Sequence, residues 1–109
     1  MSVLRAWIRA ARLPSQSYIA LPLILGQMLA LHVTGMWSWP IFVIVALFGI
    51  SDQLYIVFAN DYADRETDAL NETSTVFSGG SRVLVDGSLS PEALLRAAIL
   101  MATLAIATG

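Results

Sequence analysis

Apolar residues run almost unbroken from about Gln16 to Val33 and again from Pro40 to Ala59, and a third run opens at Pro91 and continues to Gly109. A helix needs roughly 20 apolar residues to cross a bilayer. The pattern therefore predicts spanning helices over 16–33 and 40–59 and the start of a third over 91–109. The segment ahead of them has a different period. Leu4, Trp7, Ile8 and Ala11 recur on one helical face while Arg5, Arg9 and Arg12 occupy another. That pattern predicts an amphipathic helix lying on the membrane surface within residues 1–13.

The punctuation between these runs agrees with them. Pro14 disfavours helical geometry at Leu13 and should end the first segment. Pro22 marks a kink in the first spanning helix and Gly26 a point of close packing. His32 to Met36 reads as a turn, with Trp37 and Trp39 placed as an aromatic belt at the water interface. His32 itself reads as an interface residue. Pro40 suits a first helical position. Residues 69–90 are polar and read as a loop, which closes on Ser90-Pro91-Glu92: an N-cap, a first-turn proline and an acid favoured by the helix dipole.

Composition moves the protein into lipid. Of 109 residues 57% are apolar and 13% charged, and the mean hydropathy is +0.71; soluble domains hold roughly 45–50% and about 25%. Zero cysteines exclude disulfides, thiolate metal sites and cysteine catalysis. The formal charge of −2 says little, since its distribution is more informative than its sum, and no nucleic-acid partner is expected. The N-terminal segment does not read as a cleavable signal, since its apolar run is too long and no small-residue cleavage site follows. A chain that stops inside an apolar run is expected to be the N-terminal part of a longer one. The turn between the first two spans has no Lys or Arg, and all six arginines fall on the other side of that hairpin. The positive-inside rule thus predicts a cytoplasmic N-terminus and a cytoplasmic 69–90 loop.

The chemistry concentrates at Asn60-Asp61-Tyr62-Ala63-Asp64-Arg65-Glu66-Thr67-Asp68, directly after the second apolar run. On a continued helix, with Asn60 at zero, Gln53 falls at about 20°, Asp64 at about 40°, Asp68 at about 80° and Asp61 at about 100°. Carboxylates stacked on one face repel and raise one another's pKa. A divalent cation relieves that, and Mg²⁺ favours a few carboxylates together with phosphate oxygens. The plain alternative is a solvated helix end, but such ends usually mix signs. Asp52 lies off the arc, at about −80°. An intramembrane acid is a candidate functional residue, yet its angle favours a hydrogen bond to a neighbouring helix. Gln53 reads equally as a ligand contact or as glue between helices. Ser78-Gly79-Gly80-Ser81-Arg82 offers backbone N–H groups and a guanidinium to an anion, although alone it would read as an ordinary turn.

At Asn60–Asp68 the chain resembles the UbiA superfamily of intramembrane aromatic prenyltransferases, whose first aspartate-rich motif has the form N-D-x-x-D-x-x-x-D. Asn60, Asp61, Asp64 and Asp68 match its four defining positions. Arg12-Leu13-Pro14 ahead of the first span and Gly87-Ser88-Leu89-Ser90-Pro91 ahead of the third also agree. Phe77 to Leu84, with Gly79, Gly80 and Arg82, resembles the branch of 1,4-dihydroxy-2-naphthoate polyprenyltransferases of menaquinone synthesis. It lacks the Thr-Arg/Lys-x-Arg-Pro segment of many 4-hydroxybenzoate enzymes.

The resemblance implies an all-α integral membrane fold, of which this chain is the N-terminal part, in a bundle of about nine spans around a central cavity. A second aspartate motif would lie on a later helix, so this stretch alone should be inactive. It also implies the activity: transfer of a polyprenyl group from its diphosphate to an aromatic acceptor in the lipid bilayer, for quinone biosynthesis, in a bacterial inner membrane. Mg²⁺ would be held by Asp61, Asp64 and Asp68, with Asn60, Gly79, Gly80 and Arg82 at the diphosphate. Acceptor, chain length and oligomeric state are not written in these residues. A divalent-cation transport or channel protein is the alternative reading of the same acidic mouth. It requires polar groups along the pore, where the first span supplies only Gln16, Ser17 and Gln27. A non-catalytic hairpin leaves the four-position match unexplained. The CDP-alcohol phosphatidyltransferases, whose motif begins Asp-Gly, do not fit.

Overall fold

A computed structural model describes residues 2–65, 83–84 and 86–109 of the chain. Helix α1 (Val3–Ala11) leads through a 3₁₀ turn (Leu13–Gln16) into α2 (Ser17–Thr34); α3 (Trp39–Ala63) and α4 (Pro91–Thr108) complete the described elements. Val3–Thr34, Trp39–Ala63 and Pro91–Thr108 are long and apolar enough to cross a membrane. The fold class is all-α and membrane-spanning, as the pattern predicts, with no strand among the described residues.

Helices α1, α3 and α4 each begin on a serine hydroxyl, while α2 runs on from the 3₁₀ turn without a side-chain cap. Ser2 Oγ accepts from the Arg5 N–H at 3.2 Å, and Ser90 Oγ accepts from the Ala93 N–H at 3.1 Å. These caps satisfy donors that a first helical turn leaves without partners. Pro40 and Pro91 occupy first-turn positions of α3 and α4, where a missing N–H costs nothing. α2 continues through Thr34 and stops at Gly35, whose φ of +68° is a left-handed conformation open to glycine. The connection is therefore residues 35–38, shorter than the turn expected from His32. Trp37, Trp39 and Phe42 form an aromatic cluster there, with ring centroids 5.6 Å apart in each pair.

The ends of the helices carry the core. α3 packs most extensively on α4, whose buried residues Leu94, Ala98 and Ala105 recur at helical spacing on one face. Alanines on that face let the backbones approach closely. The hydrophobic core itself joins Ala6 and Ala10 of α1, Val57 and Phe58 of α3, Leu94 and Ala98 of α4, and Val83 and Leu89 from the segment before α4. It lies where the C-terminal end of α3 meets the N-terminal end of α4, the same end as the acidic motif. α2 buries no residue and approaches α3 closely at Gly49, where an added Cβ would stand 2.6 Å from Leu23 Cδ1.

Helix α1 has three faces where the sequence pattern shows two. Leu4 and Ile8 are exposed and Arg9 is turned toward Asp86, while Ala6 and Ala10, at 1% and 0% exposure, press on the core. α1 is thus docked on the protein as well as suited to an interface.

Candidate functional site at the C-terminal end of α3

Helix α3 ends sooner than a continuous arc to Asp68 requires. Its last residue is Ala63, and Asp64 caps it, donating its N–H to the Asn60 carbonyl at 2.9 Å. Arg65 folds back over this end. Its Nη1 donates to the Tyr62 carbonyl at 2.8 Å and its guanidinium sits 4.4 Å from the Tyr62 ring centroid. A cation is favoured at a helix C-terminus, where carbonyls point outward without partners.

The last turn of α3 presents its polar groups on two sides. Asn60 and Asp64 are exposed, whereas Asp61 is 3% exposed. Gln53, two turns earlier, is buried, and Asp52 is half-buried. Asp68, Gly79, Gly80 and Arg82 lie outside the described residues. Among the described residues no three metal-ligating side chains come together; the expected third carboxylate is the undescribed Asp68. The donors that α3 does supply are hard oxygens, the Asn60 amide and the Asp61 and Asp64 carboxylates, with no sulfur or imidazole beside them. That set fits an oxygen-seeking divalent cation.

Asp61 is held by Arg12. The Arg12 Nη2 donates to Asp61 Oδ1 across a gap of 49 residues in sequence, and the two side chains are 17% and 4% exposed. Arg12 stands between α1 and the 3₁₀ turn with φ +45° and ψ +63°. Its carbonyl accepts from the Ser15 N–H at 2.8 Å and from Ser15 Oγ at 2.7 Å. These bonds fix the left-handed turn that Pro14 follows. Arg12 Nε is buried with no hydrogen-bond partner among the described residues.

A second arginine of the same helix reaches the other end of the loop. Arg9 Nη2 meets Asp86 Oδ2 at 2.7 Å, and the Ser88 N–H donates to Asp86 Oδ1 at 2.9 Å. Burial acts to raise the Asp86 carboxyl. The Ser88 hydroxyl, the Arg9 guanidinium and the Ser88 N–H outweigh it and leave the group below the ordinary 3.8. Gly87 follows in the left-handed region at φ +76°, and the Leu89 N–H closes on the Val83 carbonyl at 3.2 Å.

The amphipathic pattern puts Arg9 and Arg12 on the face opposite the apolar one and gives no sign of their acidic partners. The available signal was the Arg12-Leu13-Pro14 triplet, which puts a long cation at the point where the interfacial helix must turn. No curated protein and no solved structure shows a significant match to the chain. The model of the UbiA prenyltransferase family matches residues 19–109. Members of that family are membrane prenyltransferases and generally use divalent metal ions. With spanning helices of the required length and a match over far more than half of its residues, the chain belongs to the UbiA prenyltransferase family.

Proposed function

We propose that this chain supplies the first acidic half of the active site of a Mg²⁺-dependent prenyltransferase. The enzyme would transfer a polyprenyl group from polyprenyl diphosphate to an aromatic acceptor within the membrane, in quinone biosynthesis. The observation that carries the reading is the placement of Asn60 and Asp61 on the last turn of a membrane-length helix, with Asp64 at its C-cap. A donor with a long hydrocarbon tail and a charged head needs such a boundary, with lipid on one side and charge-binding groups on the other. Phe77–Leu84 points to an acceptor of the dihydroxynaphthoate kind. The connection between α2 and α3 holds no arginine, and all six fall in the sequence on the other side of that hairpin, which supports a cytoplasmic N-terminus and acidic motif in a bacterial inner membrane.

Asp61, Asp64 and Asp68 would hold Mg²⁺, which supplies Lewis-acid stabilisation of a departing diphosphate. Asn60 would orient the diphosphate through its amide. Gly79 and Gly80 would let backbone N–H groups reach its oxygens, and Arg82 would neutralise charge as it leaves. The allylic C–O bond breaks with its electron pair going to the diphosphate. The allylic cation then forms a C–C bond with the electron-rich ring, which afterwards loses its proton. No nucleophilic side chain is required. The experiment is prenyl transfer by the intact protein in liposomes, with and without Mg²⁺, to 1,4-dihydroxy-2-naphthoate and to 4-hydroxybenzoate. Metal-dependent transfer to the naphthoate is expected; absence of transfer to either acceptor contradicts the reading.

A further inference from the structure

We infer that Arg12 is a binding residue that makes the acidic site reject a bare metal ion and accept a metal together with diphosphate. This rests on the reading of the α3 end as a metal–diphosphate site. Arg12 itself lies on the turn after α1, ahead of the residues 19–109 that match the family.

Three observations lead here. Asp61 is 3% exposed and its carboxylate already has a cation on it, the Arg12 guanidinium. A divalent ion arriving alone at that carboxylate meets a positive group at close range, in surroundings that screen poorly. Arg12 cannot easily retreat. Its backbone is pinned by Ser15, and α1 is docked through the buried Ala6 and Ala10, the edge-to-face pair of Trp7 and Phe58, and the ion pair of Arg9 and Asp86. Arg12 also keeps a donor in reserve: Nε is buried with no partner among the described residues. A buried donor without an acceptor is unfavourable. Phosphate oxygens arriving with the metal would accept from that N–H and place negative charge between the two cations, turning repulsion into a bridge.

The same contacts couple the site to α1. A metal bound without diphosphate pushes Arg12 away from Asp61 and loosens the helix that carries it, and by linkage a loosened α1 admits bare metal more readily.

The test uses the intact protein in detergent or nanodiscs. Mn²⁺ alone is titrated by electron paramagnetic resonance, and radiolabelled pyrophosphate binding is measured at saturating Mn²⁺. Arg12→Gln should bind Mn²⁺ alone about tenfold more tightly than wild type and bind pyrophosphate at least about tenfold more weakly. Arg12→Lys, which keeps the charge, should stay near wild type for Mn²⁺ alone. A merely structural arginine would not yield tighter metal binding when removed. Should Arg12→Gln fail to fold, Ala10→Cys with the native arginine gives the answer. Thiol labelling of position 10 should quicken with Mn²⁺ alone and slow again when pyrophosphate is added. Unchanged or weaker Mn²⁺ binding in Arg12→Gln, or labelling indifferent to Mn²⁺ that is shown to bind, overturns the inference and leaves the site reading intact. A wild-type protein that binds neither Mn²⁺ nor pyrophosphate overturns both.

Discussion

Trp7 stands edge-on to Phe58, with ring centroids 5.7 Å apart and planes inclined at 72°. Three residues further along α3, Asp61 takes the guanidinium of Arg12. The aromatic contact and the ion pair fasten the same two elements, so the interfacial helix is aligned on the acidic turn by an apolar peg and a charged one. Phe58 is 5% exposed. Phe58→Ala should cost about 3–5 kcal/mol of stability. Trp7→Leu keeps apolar bulk and loses only the ring pairing, about 0.5–1.5 kcal/mol. Thermal unfolding of the purified protein in detergent checks both, and equal losses would mean that the rings do not share one contact.

The Arg9–Asp86 pair sets a pH dependence. The folded carboxyl lies below its ordinary value, so its stabilising effect is present above the unfolded value of about 3.9 and is lost as pH falls through the folded one. With side chains 32% and 42% exposed, the pair is screened and worth no more than about 1 kcal/mol. Asp86→Asn should lower stability by that amount at pH 7, and the difference from wild type should vanish in strong acid. A difference that persists there would assign the effect to the Ser88 hydrogen bonds.

Gly49 permits α2 to lie close to α3. A Cβ added there would meet the far end of the flexible Leu23 side chain, so Gly49→Ala should be absorbed by a rotation of Leu23. Gly49→Leu cannot be absorbed that way and should cost about 1–3 kcal/mol through overpacking. Unfolding midpoints of the two variants should separate clearly.

Topology follows from the arginines. The chain has no cysteine, so Met36→Cys and Glu92→Cys report single sites. A membrane-impermeant thiol reagent should reach position 36 from outside the cell and position 92 only after the membrane is opened. The reverse pattern would contradict the cytoplasmic placement of the acidic motif.

Hydropathy made the helix count and the membrane class legible, because a bilayer demands long apolar runs. Ser90-Pro91-Glu92 showed where α4 begins, since capping is local chemistry. The end of α3 was less legible. Spacing alone carries the helix to Asp68, and the pattern does not reveal that Arg65 turns back onto the Tyr62 carbonyl and that Asp64 caps the helix. The partners of Arg9 and Arg12 were hidden for a different reason. Asp86 and Asp61 are 77 and 49 residues away, and only tertiary packing of the alanine face of α1 brings them near. Alanine at positions 6 and 10 looks neutral in an amphipathic pattern, so the docking face left little trace there.

The measurement closest to the central claim compares two acids of α3 in the intact protein: Asp64→Ala, on the exposed last turn, and Asp52→Asn, half-buried three turns earlier. Mg²⁺-dependent prenyl transfer is followed in liposomes with saturating polyprenyl diphosphate. If the end of α3 holds the metal and the diphosphate, Asp64→Ala should lose at least about 100-fold in rate, while Asp52→Asn keeps most of it. Equal losses in the two variants, or near-normal transfer by Asp64→Ala, would contradict the assignment of the site.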